Sequence, residues 1–252
     1  MAYISDDEKQ LYSRVEDTIR LCSKRNTPCF LGFLDQREQA LIVRRASVFG
    51  DVKWHLFGGY EGAERAVLAV FPDFFQEEYL EFPFGAVAFH YRKAQKLTHR
   101  DFLGTLMAAG VRRDTIGDIL CGEGLTVVFL SNEIVPYICE NVKQVGGEGV
   151  SITPHYSGEF PISHEYLDIK DTVASPRLDS VVKSLLHISR DEAAQLVRGG
   201  LVSVDHLPAE TISRNLSAPC TVSVRGHGRF IIDGFGPETK KGRLQFRARK
   251  CI

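Results

Sequence analysis

Few side chains in this 252-residue sequence are spaced to make or break bonds. Asp and Glu are spread along the chain, so neither a paired-carboxylate site nor a Ser/His/Asp arrangement can be assigned. The six cysteines (Cys22, Cys29, Cys121, Cys139, Cys220 and Cys251) include no CxxC pair, the spacing that zinc ligands favour. Such scattered thiols are expected to be reduced and buried in a cytoplasmic protein, with no metal site. Two glycine clusters invite a phosphate or cofactor reading. Phe57-Gly58-Gly59-Tyr60-Glu61-Gly62 lacks the Gly-x-x-x-x-Gly-Lys-Ser/Thr order and opens no helix, so a tight turn between strands is the favoured reading. Gly146-Gly147-Glu148-Gly149 precedes only a short strand and is a weak cofactor loop. No cofactor is expected.

The residues that do invite chemistry are basic, and they lie late in the chain. The formal net charge is −1, which by itself argues against a nucleic-acid partner. Residues 176–252 nevertheless hold 13 Lys and Arg against 7 Asp and Glu, while residues 1–175 hold 18 against 25. That asymmetry marks a basic binding module on an acidic body. The candidate RNA contacts are Arg177, Lys183, Ser189, Arg190, Gln195, Arg198, Arg225, His227, Arg229, Lys240, Lys241 and Arg243. Guanidinium forks match phosphate oxygens bidentately and stack on bases, and helix N-termini add N–H donors. Plainer roles compete for single members. Arg198 could complement a helix dipole, Asp179 orient a neighbouring arginine, and Lys240 and Lys241 form a solvated turn.

The elements that must hold these residues follow from periodicity and turn signals. Residues 6–24 and 36–48 read as helices, residues 66–71 as a strand. Residues 85–153 alternate strand, helix, strand, strand, helix, strand, with Gly122-Glu123-Gly124 as the hairpin turn. This is a ferredoxin-like α-β plait of the kind RNA-recognition modules use, without their stacking aromatics; Phe89 and Phe129 are expected in the core. Residues 154–176 read as a connector. Pro176 sits at the first turn of a helix to Leu186 that carries Leu178, Val181, Val182 and Leu185 on one face. Ser189-Arg190-Asp191-Glu192 is a capping box for a second helix, stopped by Gly199-Gly200. Four strands follow, near 201–204, 220–225, 229–232 and 243–249. Residues 1–22 carry too many charges for a signal peptide, and no run approaches the roughly 18 apolar residues of a membrane span. The expected class is α+β, with an N-terminal α/β domain (1–80), a central ferredoxin-like domain (81–160), a linker (161–175) and a C-terminal RNA-binding domain (176–252).

Arg177-Leu178-Asp179, Ser189-Arg190…Ala194 and Gly200-Leu201-Val202-Ser203-Val204 resemble the S-four RNA-binding domain, or alpha-L motif. Two features depart from it. Asp205-His206 replaces the usual Asn-Gly hairpin, and Leu216-Ser217-Ala218-Pro219-Cys220 replaces Val-x-x-Gly-Asp. Residues 57–65, Gly117-Asp118-Ile119, residues 223–230 and Thr239-Lys240-Lys241-Gly242-Arg243 look like the YlmH family of bacterial proteins across nearly the whole chain. That resemblance implies a ribosome-associated factor, linked to rescue of stalled large subunits carrying peptidyl-tRNA and to cell-division gene clusters. The partners implied are ribosomal or transfer RNA and the large ribosomal subunit, with no membrane. Two other functions stay open at this point. One is an RNA-modifying enzyme of pseudouridine synthase or methyltransferase type that docks through the same domain. The other is a cell-division or assembly adaptor whose acidic body binds protein.

Overall fold

The computed structural model describes residues 5–162, 166–239 and 242–251. The chain divides into two compact units, residues 1–163 and residues 164–252.

The first unit opens with helix α1 (Asp6–Arg25), started by the Ser5 hydroxyl accepting from the Glu8 N–H and ended by Asn26 in the left-handed region at φ 53°. It buries Leu11, Val15 and Cys22. Strand β1 (Cys29–Leu34) leads to helix α2 (Gln36–Arg44), which Asp35 and Glu38 cap reciprocally. The helix expected to reach 48 gives way to a 3-10 turn at Ala46–Phe49. Strands β2 (Lys53–Phe57) and β3 (Ala66–Phe71) complete an antiparallel sheet ordered β1-β3-β2, and every residue of the central β3 is buried.

The second sheet of this unit and its helices follow as β4 (Phe84–His90), α3 (His99–Ala108), β5 (Ile116–Cys121), β6 (Leu125–Ser131), α4 (Val135–Asn141), the two-residue strands β7 (Gln144–Val145) and β8 (Glu148–Gly149), which pair with each other in a separate hairpin, and β9 (Ser151–Thr153). Its order is β5-β6-β4-β9 with all pairs antiparallel, the ferredoxin-like arrangement. Helix α4 starts later than the expected Asn132. Asn132–Ile134 form a 3-10 turn, and Pro136, which needs no N–H partner, sits in the first α turn. Alternation along β4 and β6 splits the sheet into two faces. Val87, Phe89, Val128 and Leu130 pack with Phe102, Leu106 and Ile138 of the helices. Ala86, Ala88, Val127 and Phe129 pack on the other side with Phe33 and Val67 of the first sheet. Residues on either side of position 80 thus share one apolar layer.

In the second unit, β10 (Tyr166–Val173) precedes helices α5 (Leu178–Leu186) and α6 (Arg190–Arg198) and strands β11 (Val202–Val204), β12 (Leu207–Pro208), β13 (Cys220–Val224), β14 (Gly228–Glu238) and β15 (Leu244–Cys251). The strands form one antiparallel sheet ordered β10-β15-β14-β13-β11-β12. Leu178, Val181, Val182, Leu185, Ala193 and Val197 of the helices bury against Val202, Val222, Val224, Phe230, Ile232, Phe246 and Ala248. Each large aliphatic or aromatic side chain so buried contributes roughly 1.5–3 kcal/mol.

Three expectations change here. Residues 166–173, expected as connector, are an edge strand paired with β15 over eight residues. Only Val173 of them is buried, so the period-two signal was too faint to read. Pro176 lies one residue before the cap Arg177, not in the first turn of α5. Asp205 and His206 both adopt positive φ, at 50° and 66°, so this pair makes the same kind of two-residue hairpin turn that Asn-Gly would.

Candidate nucleic-acid interface

The basic residues of the second unit are organised around one buried carboxylate. Asp179 sits in the first turn of α5 with its side chain 3% exposed. It accepts from Arg177 Nε at 3.1 Å and Nη2 at 3.2 Å, from Arg190 Nε at 2.8 Å, and from the Ser180 N–H at 3.0 Å. Burial opposes its ionisation, but the bonds and charges of Arg177 and Arg190 outweigh it and hold the pKa below the ordinary carboxylate range. The arginine side chains keep 37% and 56% of their surface in solvent. Among the described residues, the Nη atoms of Arg190 have no partner, so its outer edge is left to bind an anion. Asp179 therefore orients two guanidinium groups, and the helix caps explain how they meet. Arg177 is the residue before α5, and Arg190 is the first residue of α6 after the Ser189–Glu192 capping box. The Ser189 hydroxyl is used by that box, accepting from the Glu192 N–H at 3.2 Å.

Lys183, Arg190 and Arg243 line one groove with Ser180, Ser184, His187 and Asp171. Arg243 is tied to β10 through its Nε to the Thr172 hydroxyl at 2.9 Å and through Nη2 to the Thr172 carbonyl. Asp171 is occupied in turn by the Ser184 hydroxyl and the Thr172 N–H. Burial raises its pKa, and these bonds with the charges of His187 and Arg243 bring it below the ordinary value. The groove thus presents three cations, and both nearby carboxylates, Asp171 and the Asp179 that holds Arg190, are already engaged.

A second group lies at the other end of α6, about 12 Å along the helix by its rise of 1.5 Å per residue. Exposed Arg198 closes the helix, and the Arg225 N–H bonds to the Leu201 carbonyl at 2.8 Å just beyond it. Gly226 and Gly228, both with positive φ, bring His227 round the β13–β14 turn, and Arg229 opens β14. Gln195 is exposed on α6 between the two groups. Lys240 and Lys241 lie outside the described residues. Asp171, Thr172 and His187 join the groove without having been singled out in the sequence. The first two lie in the strand that was read as a connector, and His187 is the left-handed residue that ends α5, at φ 54°.

In the first unit, two features that could take RNA or phosphate, one sheet face and the first glycine cluster, pack against the chain itself. The sheet face opposite α3 and α4, which RNA-recognition modules use for stacking, is covered. Phe129 is 2% exposed, stacked on Tyr60 at 5.5 Å and met edge-on by Phe160 at 5.3 Å. The first glycine cluster is part of the same closure. A Cβ on Gly58 would lie 2.2 Å from the Arg65 carbonyl oxygen, and one on Gly59 (φ +103°) 2.2 Å from the Phe129 ring. Asp118 ties the cluster down by accepting from the Tyr60 hydroxyl at 2.7 Å and from the N–H groups of Glu64 and Arg65 just beyond it at 2.7 and 2.9 Å. Burial first, then the bond to Asp118, pushes the Tyr60 hydroxyl pKa well up. Arg65 closes the joint by donating to the carbonyls of Ile116 and Phe33 at 2.9 and 2.7 Å. Gly146-Gly147 is a tight turn between β7 and β8, and Glu148 holds Arg92 bidentately at 2.6 and 2.7 Å. Among the described residues, no group of three or more His, Cys, Asp and Glu is placed to hold a metal, and no helix is long and apolar enough to cross a membrane.

Two helices on an antiparallel sheet, with an oriented arginine at the N-terminal end of each, form an RNA-binding domain of the S4 class, and residues 176–218 match the family model of the S4 domain. Residues 80–157 match the family model described as "Putative RNA-binding domain in YlmH". The chain is 31% identical over 250 residues to the Ribosome-associated protein quality control protein P2 of Bacillus subtilis (strain 168), a match that covers 97% of this chain and 96% of that one. The chain belongs to the YlmH family. Among solved structures, the cell division protein ylmH from Streptococcus pneumoniae is similar in fold, with a TM-score of 0.52 at 18% identity over 61% of this chain and 93% of that one.

Proposed function

We propose that this protein is a non-enzymatic RNA-binding factor that acts on the ribosome in the cytoplasm, in quality control of stalled large subunits carrying peptidyl-tRNA. The observation that carries the reading is the Asp179 clasp. A buried carboxylate holds Arg177 and Arg190 in fixed orientation, and Arg190 lines a groove that also contains Lys183 and Arg243. Fixed guanidinium groups suit the phosphates of folded RNA, because little side-chain freedom is lost on binding. The ribosomal address is supported by the near full-length similarity to the Bacillus subtilis protein, whose name places it with ribosome-associated quality control. Arg177, Lys183, Arg190 and Arg243 are the first contacts under this reading, with Arg198, Arg225, His227 and Arg229 as a second group.

The test is co-sedimentation of the full chain with large subunits from cells, alongside RNA affinity measured at several salt concentrations. Strongly salt-dependent binding is expected, because each phosphate contact releases a counterion. Arg177→Ala with Arg190→Ala should weaken binding by about 1–3 kcal/mol for each guanidinium–phosphate bond removed. Unchanged affinity in the folded double variant, or no association with large subunits, would overturn the reading.

A further inference from the structure

The second unit has a further charged surface, outside the S4 match, that adjoins the arginine groove through Asp171 and Thr172. Helices α5 and α6 cover one face of its sheet, and the alternate residues of β10, β15 and β14 point to the opposite face. On that face Lys170 of β10 stands directly across from Arg247 of β15. Both are exposed, and among the described residues neither side chain has an ion-pair or hydrogen-bond partner. Like charges in this position lie about 4.5–5.5 Å apart at Cβ and weaken an antiparallel pair. The acids of the same face lie beside Arg249 rather than across from this pair. Asp233, the extra residue of a bulge in β14, holds Arg249 at 2.7 Å, and Asp168 stands across from Arg249 in the register. Beside the uncompensated pair, Gly234 lies across from Arg247 with nothing within 4 Å of a Cβ built on it. Lys170 and Arg247 also line a cleft of about 450 Å³ with Asp171, Thr172, Gly236, Pro237, Gln245 and Phe246. Asp171 is already engaged by the Ser184 hydroxyl and the Thr172 N–H, so the uncommitted charges of the cleft are its two cations.

We propose that the Lys170–Arg247 cleft is a second RNA-backbone site, which takes phosphates of a strand continuing past the helical arginines. The inference rests on the RNA-binding reading above and extends it to strands outside residues 176–218. The cross-strand repulsion is what a bound phosphate relieves, so binding and stability should respond in opposite directions to the same substitution.

Lys170→Glu in the full chain tests this. It places a carboxylate across from Arg247 and removes both free cations at once. The readouts are affinity for transfer RNA and for large-subunit ribosomal RNA across a salt series, and the melting temperature. Expected are an affinity about tenfold weaker, a salt slope shallower by about 1.4–1.8 for two phosphates no longer neutralised, and a melting temperature equal to or above that of the unmodified chain. Lys24→Glu, an equal charge change at the end of α1, serves as the control. An unchanged slope in Lys170→Glu, or an equal loss in Lys24→Glu, would overturn the second site. If Arg177→Ala with Arg190→Ala weakens binding while Lys170→Glu does not, only this inference falls. If the unmodified chain binds neither RNA, the RNA-binding reading falls with it.

Discussion

Replacing Asp179 with asparagine preserves the shape of the side chain and removes the charge that two arginines face. In the native site the carboxylate takes three bonds from guanidinium groups and one from the Ser180 N–H. The amide keeps a single oxygen and turns its NH2 toward an arginine. Bonds to charged partners are worth about 1.5–3 kcal/mol each when buried. The arginines here are 37% and 56% exposed and regain water, which brings the net cost to about 2 kcal/mol. For RNA, the cost is lost orientation. Two side chains freed at roughly 0.5–1.5 kcal/mol each give about 1–3 kcal/mol, or about 5- to 150-fold in affinity. Hydrogen exchange of the α5 and α6 amides is the suitable stability assay. The single tryptophan, Trp54, lies in the first unit and reports on the wrong region. The pH dependence supplies a further check. Because the native Asp179 pKa is depressed, its stabilisation is fully present above the unfolded value near 4 and is lost as pH falls through the folded value. Native and Asp179→Asn proteins should therefore differ at pH 7 and converge in acid. Equal protection at pH 7, or a difference that persists unchanged below both values, would refute the clasp.

Two other substitutions bear on the scaffold. Ser189→Ala removes the cap of α6 and should cost about 1 kcal/mol, seen as faster exchange of the amides near Glu192 with the first unit unaffected. Gly59→Ala would press a Cβ into the Phe129 ring at a positive φ, and should lower the melting temperature of the first unit by well over the effect of Tyr60→Phe. The latter loses only one bond to Asp118, about 1–2 kcal/mol. Near-native melting of Gly59→Ala would show that the two sheets are not joined as tightly as the distances imply.

The helices were the most legible part of the chain, because their signals are local. The Ser189–Glu192 box, the apolar face of α5 and the glycines after α6 each state their role within a few residues. The basic surface was legible as a set for the same reason, since Arg177 and Arg190 flank those caps. What stayed hidden depends on partners far along the chain. Strand β10 is an edge strand with one buried residue, and its pairing with β15 spans more than 70 positions. The glycine cluster at 58–62 reads as a tight turn, but nothing near it announces that Asp118, more than 50 residues away, takes the Tyr60 hydroxyl and the N–H groups of Glu64 and Arg65. Phe129 shows only that it is apolar. Which layer it joins is decided by Phe33, Tyr60 and Phe160.

The shared apolar layer between the two sheets of the first unit limits how the protein can be cut. The family match begins at residue 80, and a fragment started there would leave Ala86, Ala88, Val127 and Phe129 without Phe33, Val67 and Tyr60 over them. An apolar sheet face bared in this way invites self-association. A fragment that keeps residues 1–163 together retains its own lid.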